Sequence, residues 1–239
     1  MSIEKPLAGK AALITGASRG IGLAIARRLG SLGARVAICA RDEVKLEQAA
    51  GALRDEGVEV MARAADVTRA ADITALVEET LQAFGAIDIL INNAGIGIFG
   101  PFHQQGEAEW DILLDTNLKS VFLASRAVAP GMIRRRSGYI INISSLAGKN
   151  TFANGGIYCA SKWGVQGLTG CMAEDLRAYG IRVSAVCPGS VASDFSPHTG
   201  QDTSKLLQPE DVAHAVAALV TAAPRSFISE VQMRPTQKP

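Results

Sequence analysis

The stretch Lys10-Ala11-Ala12-Leu13-Ile14-Thr15-Gly16-Ala17-Ser18-Arg19-Gly20-Ile21-Gly22 decides the fold. Its first half, Lys10 to Thr15, is a continuous apolar run, the pattern of a strand buried on both faces. Its second half is rich in glycine and leads into a stretch of helical composition, Ile21 to Leu32. Glycine lets backbone amides approach a phosphate closely, and a helix start adds partial positive charge. The spacing Gly-x-x-x-Gly-x-Gly is one residue longer than the usual dinucleotide fingerprint. A glycine loop alone is often a tight turn; its position directly after a first buried strand favours binding.

Outward from this stretch, short apolar runs alternate with helical ones. Strands are expected at 35–40, 58–64, 87–91, 139–143, 182–186 and 227–233. Helices are expected at 43–56, 69–84, 107–136 (with an irregular start), 157–179 and 209–221, the last opened by Pro209. Strand–helix alternation implies parallel strands, right-handed crossovers and helices on both faces. The expected fold is therefore a doubly wound α/β sheet of Rossmann type, one domain spanning residues 1–239. Such sheets bind ligands outside the carboxyl ends of their strands. Gly16, Gly20, Gly22, Arg41, Asp66, Asn92-Asn93-Ala94-Gly95, Ser145 and Pro188-Gly189 all fall just after predicted strands.

The 239 residues are 48% apolar and 20% charged, a globular composition, and the net charge of +1 argues against nucleic acid as main partner. The basic run Arg134-Arg135-Arg136 suits a helix C-terminus, with an anionic substrate or carrier protein as the other reading. Cys39, Cys159, Cys171 and Cys187 lack Cys-x-x-Cys spacing and read as reduced thiols, three of them in apolar segments. His103, His198 and His214 are scattered, so no metal site is expected. Met1 to Lys10 lacks an apolar signal core, and no run reaches membrane-spanning length, so a soluble cytoplasmic protein is expected.

Two groups of residues point to chemistry. Tyr158 and Lys162 stand one helical turn apart, with Ser145 at the preceding strand end. An ammonium beside a phenol is expected to lower the phenol's pKa from about 10 and make it a general acid–base at working pH. Ser145 can hold a substrate oxygen beside it, and the arrangement needs a hydride donor. At the other end, the second strand closes with Cys39-Ala40-Arg41-Asp42. Ala40 takes the place where an acid would hold a ribose 2′-hydroxyl, while Arg41 and Arg19 suit a 2′-phosphate, so NADP(H) is expected in preference to NAD(H). Asp42 in the ribose position would reverse that preference. Asp66-Val67 is expected to meet adenine.

These residues resemble the short-chain dehydrogenase/reductase family, in its compact single-domain branch, over nearly the whole chain. Thr15 to Gly22 looks like its cofactor loop, with Ser18, Arg19 and Ile21 inside it, and Asn92 to Gly95 like its Asn-Asn-Ala-Gly turn. Asn117, Ser145, Tyr158 and Lys162 match its catalytic tetrad in order and spacing. Pro188-Gly189 with Val191 and Ser193 is similar to its nicotinamide-carboxamide segment. The resemblance implies that Tyr158 protonates a carbonyl oxygen as hydride arrives and that Lys162 binds the nicotinamide ribose. Ser145 would orient the carbonyl, Asn117 would hold a water that links Lys162 to solvent, and Ser144 would make a structural hydrogen bond.

The substrate pocket is expected from Ile96 to Phe102, Lys149 to Ile157 and a loop at about 194–208, with Ile96, Ile98, Phe99, Phe152 and Phe195 as apolar surface. The expected substrate is a small ketone or aldehyde, or the corresponding alcohol. A 3-oxoacyl thioester on acyl carrier protein is the alternative: Arg136 matches one basic docking position, while Tyr179 stands where a second arginine would be expected. A non-catalytic dinucleotide-binding scaffold is the alternative of another class. Trp110 and Trp163 read as packing residues. Gly164, Gly167 and Gly170 on the catalytic helix imply a close contact, and the family pattern implies a homotetramer or homodimer through the two long helices.

Overall fold

In the computed structural model, residues 5–193, 195 and 202–237 are described. The apolar runs form strands β1 (Ala11–Thr15), β2 (Arg35–Ala40), β3 (Val60–Ala64), β4 (Ile89–Asn92), β5 (Gly138–Ile143), β6 (Ile181–Pro188) and β7 (Glu230–Met233). The helices are α1 (Gly20–Ser31), α2 (Glu43–Asp55), α3 (Ala70–Phe84), α4 (Glu107–Leu114), α5 (Ser120–Arg135), α6 (Gly156–Arg177) and α7 (Pro209–Thr221). The strands make one 7-stranded sheet in the order β3-β2-β1-β4-β5-β6-β7, every pairing parallel.

Side chains of β1 point alternately to two apolar layers, as the strand's period of two requires. Ala12 and Ile14 pack with Ile25 and Leu29 of α1, Leu46 and Leu53 of α2, and Val212 and Val216 of α7. Ala11 and Leu13 pack with Ile73 and Leu76 of α3, Val128 and Met132 of α5, and Ala173 and Leu176 of α6. The direction of winding reverses between β1 and β4, which opens a crevice at their carboxyl ends. Behind that crevice runs a buried polar chain. Asn92 Nδ2 donates to Asn142 Oδ1 at 2.8 Å and to Ser125 Oγ at 3.0 Å, and Asn142 Nδ2 donates to Thr169 Oγ1 at 2.8 Å. It ties β4, β5, α5 and α6 together just below the functional edge.

Four expectations change. β3 begins at Val60, two residues late, because Val58 leaves the ladder to fill the hollow over Gly30, where a Cβ would lie 2.4 Å from Val58 Cγ1. The last strand is only Glu230–Met233. The helix expected over 107–136 is two helices, α4 and α5, joined by a π-turn at Asp115–Lys119. Trp110 and Trp163 are not packing residues, being 47% and 50% exposed. Cys39, Cys159 and Cys187 are buried free thiols, and Cys171 is exposed. Among the described residues no helix is long and apolar enough to cross a membrane. The expected substrate loop at 194–208 is described only at Phe195 and 202–208; Asp194 and residues 196–201 lie outside the described residues.

Candidate active site

The glycine loop is held in a form that only glycine allows. Gly16 has φ +66°, and a Cβ there would lie 2.8 Å from Ala94 Cα. A Cβ on Gly22 would lie 2.4 Å from Gly16 O. Asn93 clamps the loop from β4: its Nδ2 donates to Thr15 O and Gly16 O, both at 2.9 Å. Thr15 Oγ1 returns the contact, accepting from Asn93 N at 3.0 Å and Ala94 N at 3.1 Å. The side chain of the N-cap residue Arg19 makes no cap hydrogen bond to α1, and no acid stands in the helix's first turn. The partial positive charge of that helix start is therefore presented at the cleft, where a pyrophosphate fits.

The cleft has a volume of about 1150 Å³ and runs from Ala65 and Val67, past Gly16, Ser18, Arg19, Gly20 and Ile21, to Tyr158 and Phe195. Ala40, Arg41, Asp42 and Lys45 wall its outer end. Asp42 caps α2, accepting from Lys45 N at 3.0 Å, with Lys45 Nζ at 3.4 Å. Asp66 stands beside the wall rather than in it. Its Oδ1 accepts from Thr68 N at 2.9 Å and Thr68 Oγ1 at 2.8 Å. Burial works against its charge, but these bonds and the Arg41 and Arg69 charges hold the carboxyl below its ordinary pKa.

At the inner end, α6 carries Tyr158 and Lys162, 7% and 4% exposed. Ser145 follows β5 and caps a short 3₁₀ turn, accepting from Ala147 N at 3.1 Å. Its hydroxyl also lies near enough to the Tyr158 phenol to favour the ionised form. Lys162 Nζ donates to Ile143 O at 3.0 Å and stands 5.9 Å from the Tyr158 ring centre. Ser144 Oγ donates to Lys162 O at 3.4 Å, the structural bond expected of it. Asn117 lies in the π-turn, and its amide is fully engaged. Oδ1 accepts from Ile96 N at 2.8 Å, and Nδ2 donates to Ile96 O at 2.9 Å and Ser161 Oγ at 3.1 Å. The side chain thus fastens the loop after β4 to α6.

The electrostatics differ from the sequence expectation. Burial pushes the Tyr158 phenol up to about 12, and the nearby Ser145 hydroxyl only partly offsets this. Burial also pulls Lys162 down to about 8. Desolvation penalises both charged forms and outweighs an attraction across nearly 6 Å. The phenol is therefore a proton donor at neutral pH in the ligand-free chain.

Residues 10–204 match the family described as short chain dehydrogenase. The chain belongs to the short-chain dehydrogenase family. It is an oxidoreductase acting on hydroxyl or keto groups. It is similar to a metagenomic short-chain oxidoreductase solved in complex with NADP: 48% identity, TM-score 0.87, covering 98% of this chain and 100% of that one. 2-(S)-hydroxypropyl-CoM dehydrogenase 3 of Xanthobacter autotrophicus is 40% identical over 87% of this chain and 88% of its own. The 3-oxoacyl-[acyl-carrier-protein] reductase of Staphylococcus aureus is 38% identical over 89% and 91%.

The segment after β6 of this short-chain dehydrogenase is braced from β7 and from Leu207. Gly189 N donates to Met233 O at 2.9 Å, and Ala192 N donates to Leu207 O at 2.8 Å beside the Val191–Leu207 bridge. Pro188, Gly189, Val191 and Ser193 line the cleft. Arg234, Pro235 and Gln237 line it too and went unnoticed in the sequence. Their signal was present: they follow β7 on the same carboxyl edge as every other candidate. Around the phenol, Phe99 approaches edge-on at 5.3 Å and 67°, and Phe195 lies at 5.8 Å and 56°. Ile96 and Phe152 line the cleft as expected, whereas Ile98 packs against the small core cluster of Leu113, Ala147 and Ile157.

Proposed function

We propose that this chain is an NADP(H)-dependent reductase that interconverts a ketone or aldehyde and its alcohol, with Tyr158 as the proton donor. The observation that carries this reading is a buried, protonated phenol beside Ser145 in the same cleft as the glycine loop and the start of α1. The reduced nicotinamide supplies a hydride. When a bound reduced nicotinamide gives that hydride to a carbonyl carbon, the C=O π pair would move to oxygen, and Tyr158 Oη would supply the proton that completes the alcohol. Ser145 orients the oxygen. Lys162 places positive charge near the phenolate that forms, and its own proton, held near pH 8, is available to restore the phenol. Asn117 fixes Ile96 and, through Ser161, the catalytic helix; a water held there linking Lys162 to solvent is part of the same proposal.

Preference for NADP(H) rests on Arg41 at the outer end, on Arg19 in the glycine loop and on Asp42 being engaged with Lys45. The NADP complex of the metagenomic relative supports it. The remaining cofactor contacts are assigned to Gly16, Ser18, Gly20, Ile21, Val67, Asn93, Ala94, Gly95, Pro188, Gly189, Val191 and Ser193, while Gly22 is buried behind the lining and serves by letting α1 close on Gly16. Asp66 serves them indirectly by shaping the turn before Val67. Buried free thiols suit the cytoplasm. Exposed Trp163 and Phe122, with nothing within 4 Å of a Cβ on Gly167 or Gly170, suit association of identical chains through α5 and α6.

The test is NADPH oxidation, followed by absorbance, with a panel of ketones and aldehydes. Tyr158→Phe should bind NADPH and lose turnover. Tight binding without oxidation of NADPH by any panel member would replace this reading with that of a scaffold. A 3-oxoacyl thioester is the second reading, favoured by the Staphylococcus aureus relative. Against it, Arg136 is engaged with its own fold, donating to Ala178 O at 2.8 Å and lying 6.0 Å over the Tyr179 ring.

A further inference from the structure

Three aromatic rings gather around the reacting phenol. Phe99, Phe152 and Phe195 are 40%, 50% and 40% exposed, unusual for phenylalanine in a folded core. Phe99 lies 6.0 Å from Phe152 at 48°, and Phe99 and Phe195 flank Tyr158. Gly97 lets them converge: a Cβ there would lie 2.8 Å from Phe99 and 2.9 Å from Phe195. The rings are tilted or edge-on to one another, so none covers another's face.

We infer that the substrate is a neutral aryl ketone, its ring held among Phe99, Phe152 and Phe195 while its carbonyl meets Tyr158 and Ser145. The inference rests on the reductase reading above and names its substrate class. Aromatic pairs gain from edge-to-face contact beyond the area they bury. A flexible acyl chain would bury comparable area at a larger cost in rotor freedom. A polyol would set hydroxyls against rings that offer no partner. Charge is not called for at this end. Among the described lining residues the cations Arg41 and Lys45 stand at the opposite end, Arg19 belongs to the glycine loop, Arg234 stands after β7, and Lys162 is buried and bonded to Ile143 O.

The test compares kcat/KM, with NADPH saturating, for acetophenone, cyclohexyl methyl ketone, 2-octanone, 4-acetylbenzoate and an acetoacetyl N-acetylcysteamine thioester. Acetophenone should exceed its cyclohexyl counterpart by about tenfold, with 4-acetylbenzoate and the thioester lower still. Phe99→Leu and Phe195→Leu should each lower the acetophenone-to-cyclohexyl ratio by about threefold. Equal rates for the two methyl ketones, a ratio unmoved by both substitutions, or preference for 2-octanone, the thioester or the carboxylate would overturn the inference and leave the reductase reading intact. Failure of every ketone to oxidise NADPH would overturn both.

Discussion

At the scale of single residues, the contest at the inner end of the cleft is between desolvation and attraction. Desolvation wins for both partners: Tyr158 rises to about 12 and Lys162 falls to about 8. The Lys162 shift has a sign that stability measurements can read. Below pH 8 the lysine is protonated folded and unfolded, and its burial penalty is constant. Between pH 8 and the ordinary value of 10.5 the unfolded chain holds more protons, so stability attributable to this residue rises with pH. Lys162→Met removes that dependence. The difference in unfolding free energy between variant and wild type should shift toward wild type by on the order of 3 kcal/mol across this window, measured by denaturant titration at several pH values. A flat difference would show that the ammonium is solvated. At the outer end, Arg41→Asp should shift preference from NADPH toward NADH by at least about tenfold in kcat/KM, since it exchanges a charge-assisted phosphate contact for repulsion; an unchanged ratio would show that another cation reads the phosphate.

At the scale of elements, the π-turn between α4 and α5 matters most. One extra residue in that turn redirects Asn117 toward Ile96 and Ser161. Asn117→Ala would leave both backbone groups of Ile96 without this partner. These groups are part-buried, so a loss of about 2 kcal/mol follows, near the low end of roughly 1–3 kcal/mol per unmet group, with kcat falling because the loop and α6 lose their fastening; equilibrium unfolding and steady-state kinetics check it. This element also marks the limit of sequence reading. Strand positions were legible because β1, β4 and β5 each carry a run of Ala, Leu or Ile residues, and the candidate residues were legible because they follow strands. The π-turn has no composition of its own, so 107–136 read as one helix. The exposure of Trp163 was hidden because a tryptophan on an amphipathic helix looks the same whether its partner is in the same chain or another. The raised pKa of Tyr158 was invisible because it depends on burial, which spacing does not report.

At the scale of the whole molecule, the exposed face of α6 carries Trp163, Gly167 and Gly170, with Phe122 exposed on α5. Glycine in a helix interior costs about 1 kcal/mol relative to alanine, and nothing among the described residues requires it at Gly167 or Gly170. Gly167→Leu should therefore yield a smaller species than wild type by light scattering at micromolar concentration, with its helical circular dichroism kept. An unchanged mass would remove this face as the contact between copies.

The Asn93 clamp has a mechanical consequence. It stitches the two halves of the sheet where their winding diverges, so the trough cannot gape by parting its floor. Opening is left to the rim segments that bear Phe99 and Phe152, whose rings border the cleft and would form its gate. Turnover limited by such a gate slows in viscous solvent: kcat should fall as glycerol or sucrose is added, and a kcat indifferent to both would place the slow step in bond-making instead.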